Sequence, residues 1–239
     1  MDRKHPIFQA LEPLIQPDRV SDFSRYFQTF EGGYAEGDLF VGVMVPDRRA
    51  VAKKEGMGWT KEVLASGLVH PCHEVRHTAL FALLLRYHVE RANRQDWHAF
   101  LVAHFEGINN WDLVDTCAYK LFGRHAIDTS DTSVLLEFLD DDSVWKKRTA
   151  VVATLQFIIE GKYEETLAYC PVAAADAPEI LQKAIGWMLK LLWAKQPELT
   201  EDHLAVHFSS GLYTRLIVRI ALEKASKAHR ADFIASFAP

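Results

Sequence analysis

Trp111 and Asp115 stand four residues apart in the stretch Asn110-Trp111-Asp112-Leu113-Val114-Asp115. On a helix that spacing puts both on one face, one turn from each other. A flat indole beside a carboxylate suits a cationic, electron-poor aromatic ligand. Tryptophan faces attract cations by about 0.5–2 kcal/mol. An ionised carboxylate aimed at developing positive charge is worth roughly 3–4 kcal/mol of barrier. Arg148 adds a guanidinium, which forks two phosphate oxygens better than lysine does, and Trp187 adds a second indole. No metal is needed for such chemistry. Each residue also has a plainer use. Most helical aromatics are core, Asp115 would serve to pair with a lysine or cap a helix, and Arg148 would serve as an ion-pair partner for Asp140–Asp142.

A second group of ligand-type residues is His70-Pro71-Cys72-His73 with His77. His73 and His77 are four apart, a spacing that zinc uses, but there is no HExxH and no second cysteine cluster. We therefore expect no metal, with these histidines on a solvated or partly buried helix face.

The elements that must hold these residues are helices. Asn109 or Asn110 suits an N-cap ahead of Trp111. Asp112 then falls in the first turn, where the helix dipole favours a carboxylate, while Val114, Cys117, Ala118 and Leu121 form the neighbouring apolar stripe. Ile7, Leu11, Leu14 and Ile15 mark an earlier helix, Pro17 opens one reaching Tyr26-Phe27, and Pro46 one running to about Glu55. Thr60 precedes a helix ending near Gly67, and a last long helix is expected from about Leu212 to Lys227. Breaks fall at Gly123-Arg124, Asp140-Asp141-Asp142, Gly161-Lys162 and Gln196-Pro197. The glycine-rich stretch Glu31–Asp38 is a loop, without the GxxxxGK[ST] pattern of a phosphate cradle.

A pattern recurs along these helices. Glu74-Val-Arg-His-Thr-Ala-Leu resembles Trp145-Lys-Lys-Arg-Thr-Ala-Val, and both resemble the run from Leu181 to Lys190. A period of about 35–40 residues is that of stacked helix pairs of the HEAT or armadillo kind. The predicted fold is all-α, a curved solenoid of antiparallel helix pairs in one domain, residues 1–239. In such a stack Trp111, Arg148 and Trp187, spaced 37 and 39 apart, occupy equivalent positions on the concave face, and Tyr26 closes the other end.

Composition agrees with a globular chain: 49% of the residues are hydrophobic and 25% charged. No apolar run approaches the roughly 18 residues of a membrane span, and the N-terminus lacks a signal-peptide apolar core. Cys72, Cys117 and Cys170 lie far apart without a CxxC, as expected of small core residues in a reducing compartment. We expect a cytoplasmic monomer. The net charge of −5 alone argues against nucleic acid. From residue 181 onward, however, eight Lys/Arg face five Asp/Glu, so a basic surface is compatible with an acidic whole.

Several motifs together resemble the AlkD-type DNA alkylation-repair glycosylases. They are Trp111-Asp112-Leu113-Val114-Asp115, Lys147-Arg148-Thr149-Ala150, Gln182-Lys183-Ala184-Ile185-Gly186-Trp187, and Gly37-Asp38-Leu39-Phe40-Val41-Gly42-Val43 followed by Pro46-Asp47-Arg48-Arg49. The resemblance covers nearly the whole chain. It implies a HEAT-like solenoid that hydrolyses the N-glycosidic bond of N3- and N7-alkylated purines in double-stranded DNA, without a cofactor. Asp115 would be the catalytic carboxylate, Trp111 and Trp187 would line the cleft with Tyr26, and Arg148 would grip the DNA backbone, joined by Lys147, Lys183 and Lys190. A non-catalytic HEAT-type module binding DNA or protein is the alternative. Asp115 one turn after Trp111 discriminates between them, since a scaffold does not need that pair.

Overall fold

The structure, a computed structural model, describes residues 2–237. Among these residues there is no strand, and no helix is long and apolar enough to cross a membrane. The helices in order are α1 (Pro6–Leu11), α2 (Val20–Phe27), α3 (Val45–Glu55), α4 (Lys61–Leu68), α5 (His73–Val89), α6 (Arg94–Ala103), α7 (Trp111–Cys117), α8 (Arg124–Thr129), α9 (Ser133–Asp140), α10 (Val144–Ile159), α11 (Glu164–Ala174), α12 (Glu179–Trp193), α13 (Pro197–Ser209), α14 (Arg215–Ala221) and α15 (Lys227–Phe237). The predicted all-helical repeat fold is thus what the chain adopts. Two compact units divide it, Met1–Cys117 and Ala118–Pro239.

Local chemistry sets where the helices begin. Thr60, Ser143 and Thr214 each lie just ahead of a helix and accept the backbone N–H three residues on, from Val63, Lys146 and Ile217. Each bond satisfies one of the free donors of a first turn. Pro17, Pro46 and Pro197 sit in first turns, where a missing N–H costs nothing.

In the first unit α5 is the central element, packed by α1, α3, α4, α6 and α7. From His73 to Leu80 every side chain is buried, including His73, Glu74, Arg76 and His77. A helix buried all round in its first turns must pair its charged groups internally, and that requirement shapes the site below. In the second unit α10 packs on α9, α11 and α12, and α12 packs on α13 and α14.

Two expected boundaries differ. Gly123 does not break a helix: it ends a π-helical stretch, Ala118–Gly123, that leads into α8. A Cβ there would clash with the Ala153 carbonyl, so Gly123 serves the close approach of α10. The long last helix expected from Leu212 to Lys227 is shorter, Arg215–Ala221, and a further helix begins only at Lys227. Leu222 ends α14 in a series of tight turns, and the Ser226 hydroxyl accepts the His229 N–H to start α15. A hydrophobic period does not mark this break, which backbone turns and a capping hydroxyl make.

Candidate functional site

Asn110 is the cap the sequence suggests for α7. Its carbonyl accepts the first helical bond, from Val114 N–H, and its side-chain Oδ1 accepts the Trp111 N–H at 2.8 Å. Asn110 is fully buried, so the start of the helix is fixed. Trp111 and Asp115 are both half-buried and one turn apart on α7. This is the surface edge expected of them.

The indole of Trp111 is pinned from several sides. Its Nε1–H donates to the Tyr34 hydroxyl at 3.1 Å, and that hydroxyl donates to the Tyr26 carbonyl at 3.2 Å. One indole face stacks on Phe27, with centroids 5.5 Å apart and 21° between planes. Tyr26 stands edge-on to it at 5.7 Å and is 63% exposed. Tyr26 and Trp111 therefore meet, where Tyr26 was expected to close the other end of the cleft.

Below Trp111 lies a polar network that the sequence left unassigned. Phe27 stacks on Phe40 at 4.9 Å, and Phe40 stacks on the His73 ring at 4.5 Å. His73 reaches a carboxylate with each ring nitrogen: Nδ1 to Asp38 at 3.2 Å and Nε2 to Asp112 at 2.9 Å. Arg76 donates to Asp38 at 2.6 Å and to Asn109 at 3.1 Å. Asn110 Nδ2 also donates to Asp38, at 3.5 Å. Val41 and Gly42 N–H groups donate to the buried Glu74 carboxylate at 3.0 and 2.8 Å, which anchors the loop carrying Asp38 and Phe40. Asp112 is thus more than a dipole complement. Burial opposes its ionised form, but His73, His77 and Arg48 outweigh burial and hold its carboxyl well below the usual range.

The expected solvated face for His73 and His77 is not found: they are 0% and 2% exposed. The reason is that the acids from the loop and from α7 neutralise this face of α5. His73, His77 and Asp112 bring three ligand-type atoms within 4.8 Å of one another. The Arg48 Nη1–H, however, donates to His77 Nδ1 at 3.0 Å, and His77 Nε2 donates to Thr116 at 3.0 Å. His77 Nδ1 also lies 3.3 Å from Asp112 Oδ2, so these side chains form a buried network of charged and polar groups. Burial, then Arg48, pushes the His77 pKa down to about 3 despite Asp112.

The remaining candidates belong to the second unit. Trp187 is half-buried on α12, next to Gly186, whose missing Cβ lets Ile220 of α14 approach. Arg148 is 5% exposed, and its Nη1 donates to the Ile180 carbonyl at 2.6 Å. Lys147, beside it on α10, is half-buried. Lys183 pairs with Glu179 and Lys190 with Glu223, each at 2.7 Å. Asp141 pairs with Lys146 at 2.6 Å.

Sequence reasoning missed Tyr34, Phe40, Asp38 and Arg48. A signal for part of this group was present. Asp38 to His73 is 35 residues and His73 to Asp112 is 39, the same repeat period that relates Trp111, Arg148 and Trp187.

A solved structure described as a predicted DNA alkylation repair enzyme from Enterococcus faecalis is similar to this chain, with a TM-score of 0.67 at 20% identity, covering 89% of this chain and 97% of that one. At that identity the likeness shows the fold. No curated protein matches the chain. Residues 7–225 match the family model described as DNA alkylation repair enzyme, and the chain belongs to that family.

Proposed function

We propose that the chain is a monofunctional DNA glycosylase that releases cationic N3- and N7-alkylated purines, such as 3-methyladenine and 7-methylguanine, from double-stranded DNA, with residues 1–239 acting as one functional domain. The observation that carries this is the Trp111 ring, held on three sides and exposed at one edge with Tyr26, with the Asp115 carboxylate one turn along the same helix.

The chemistry asks little of the protein. Alkylation has already made the purine cationic, hence a good leaving group. The C1′–N bond breaks and its electron pair returns to the ring, which leaves as the neutral alkylpurine. The sugar becomes an oxocarbenium-like cation. Asp115 stabilises that charge and orients a water, whose oxygen bonds to C1′ while its proton passes to solvent or to the carboxylate, leaving an abasic site. Trp111 and Trp187 stabilise the cationic base and sugar through their ring faces. Arg148, Lys147, Lys183, Lys190 and Tyr26 contact the DNA backbone. The ion pairs of Lys183 and Lys190 are solvent-screened, so either lysine exchanges its carboxylate for a phosphate readily.

The test is incubation of the protein with methylated duplex DNA and analysis of free bases. Release of 7-methylguanine or 3-methyladenine is expected. Binding without release would leave a DNA-binding helical module in place of the enzyme.

A further inference from the structure

The network beneath Trp111 contains a histidine whose two ring nitrogens both face carboxylates. We propose that His73 is a doubly protonated positioning residue, whose imidazolium bridges Asp38 and Asp112 and thereby sets the orientation of the Trp111–Asp115 face. The catalytic consequence rests on the glycosylase proposal above; the positioning itself does not.

The protonation state follows from hydrogen-bond accounting. An ionised carboxylate only accepts. Asp38 also receives Arg76 at 2.6 Å, and Asp112 lies among His73, His77 and Arg48, so both acids are held ionised. Each ring nitrogen of His73 faces one of these carboxylate oxygens, at 3.2 and 2.9 Å, and only an N–H suits either contact, so His73 carries two protons. The neighbouring His77 is the contrast. Its Nδ1 lies 3.0 Å from Arg48 Nη1, which can only donate, and 3.3 Å from Asp112 Oδ2, so the shorter contact makes Nδ1 the acceptor and leaves the one ring proton on Nε2, toward Thr116. Two histidines one turn apart on α5 are thus fixed in opposite states.

The groups around His73 come from every packed segment. Asp38 comes from the loop, Asp112 from α7, Arg76 and His77 from α5 itself, with Arg48 of α3 and Glu74 of α5 behind them. Burial lowers the His73 pKa and Arg76 lowers it further, but Asp112 and Asp38 outweigh them and raise it.

Two short routes lead from His73 to Trp111. One is a pile of rings: His73 on Phe40 on Phe27 on Trp111, with successive planes tilted by 24°, 16° and 21°. The other runs through backbone. Asp112 follows Trp111 directly, and Asn110, which caps Trp111, donates to the Asp38 oxygen that His73 holds. Loss of one His73 proton turns one nitrogen–carboxylate contact into lone pair against lone pair. Either the loop or the first turn of α7 must then shift.

Nitrogen-resolved NMR of the intact, 15N-labelled chain from about pH 5.5 to about 9.5 tests this. Both His73 nitrogens should be protonated at the acid end, with a midpoint above about 6.5. The Trp111 indole N–H, assigned by its loss in Trp111→Phe, should move with the same midpoint. Asp38→Asn keeps His73 in place and should lower that midpoint by about one pH unit or more. It also covers the case in which a His73→Gln chain fails to fold. If wild-type protein releases methylated bases, kcat should fall with the shared midpoint while DNA affinity holds. An unprotonated His73 nitrogen at the acid end, a Trp111 signal that stays still through the His73 midpoint, or a midpoint unmoved by Asp38→Asn would each overturn the proposal. A wild-type chain that releases no base would defeat the glycosylase proposal alone, since the two resonances still decide the role of His73.

Discussion

The indole N–H of Trp111 donates to the hydroxyl of Tyr34, 77 residues earlier, at 3.1 Å, and through it a glycine-rich loop holds the ring of the proposed active site. Tyr34→Phe removes that acceptor and also the bond to the Tyr26 carbonyl. Loss of two such bonds at a half-buried position should cost about 1–2 kcal/mol of stability. Because the loosened ring is the one beside Asp115, base release should fall several-fold with little change in DNA affinity. Thermal melting and single-turnover release on methylated DNA measure the two effects separately. An unchanged release rate would mean that the pinning of Trp111 does not matter to the chemistry.

Asp112 and Asp115 lie three residues apart on α7 and should fail in different ways. Asp112 is buried against His73 at 2.9 Å, with its Oδ1 lacking a hydrogen-bond partner among the described residues. Asp112→Asn breaks a buried pair and should cost about 3 kcal/mol of stability. Asp115→Asn should lower the release rate by roughly a hundredfold or more, the usual scale for a group stabilising transition-state charge, with far less effect on DNA affinity. Equal losses of affinity and rate in Asp115→Asn would make it a binding or folding residue.

What the sequence made legible was local. The starts near Pro46 and Thr60 and the Asn110 cap rest on side chains within a turn of the backbone they satisfy, so residue type alone marks them. The role of Gly123 was not legible, because what its missing Cβ makes room for is the Ala153 carbonyl 30 residues later. The direct contact of Tyr26 with Trp111 was not legible either, since it joins residues 85 apart through tertiary packing. The support beneath Trp111 was missed for a different reason. Asp38, His73 and Asp112 each have an ordinary local role, as loop acid, helix-face histidine and first-turn acid. Only the repeat period shows that the three positions coincide in space.

Arg148 has two possible uses, and salt separates them. Its guanidinium is 5% exposed and donates to the Ile180 carbonyl. If it also grips a phosphate, Arg148→Ala should weaken DNA binding across all sequences and reduce the salt slope by about one phosphate contact. Lys190→Ala, which frees only the surface acid Glu223, should reduce the slope in the same way without lowering the melting temperature. A fall in melting temperature with an unchanged salt slope for Arg148→Ala would assign that residue to the packing of α10 on α12.

The histidines predict a stability maximum near neutrality. Burial pushes the His77 pKa down to about 3, and burial followed by His207 pushes that of His203 to about 4. Unfolded histidines titrate near about 6.5, so between that pH and the lowered values the unfolded chain binds protons the folded chain does not. Stability must therefore fall as pH falls through that window. His73 has the opposite sign. Despite its burial, the two carboxylates raise its pKa, so its contribution is complete below about 6.5 and is lost as pH rises through the folded value. Asp38 and Asp112, both lowered, contribute above about 3.9 and lose that contribution as pH falls through their folded values. Urea unfolding followed by circular dichroism should give the highest midpoint close to pH 6.5–7, with a decline on both sides. His203→Gln removes one neutral-buried histidine and should make the acid decline shallower, while leaving the alkaline decline as it is. Absence of the alkaline decline would place His73 in the neutral state, because its raised pKa is the source of that decline.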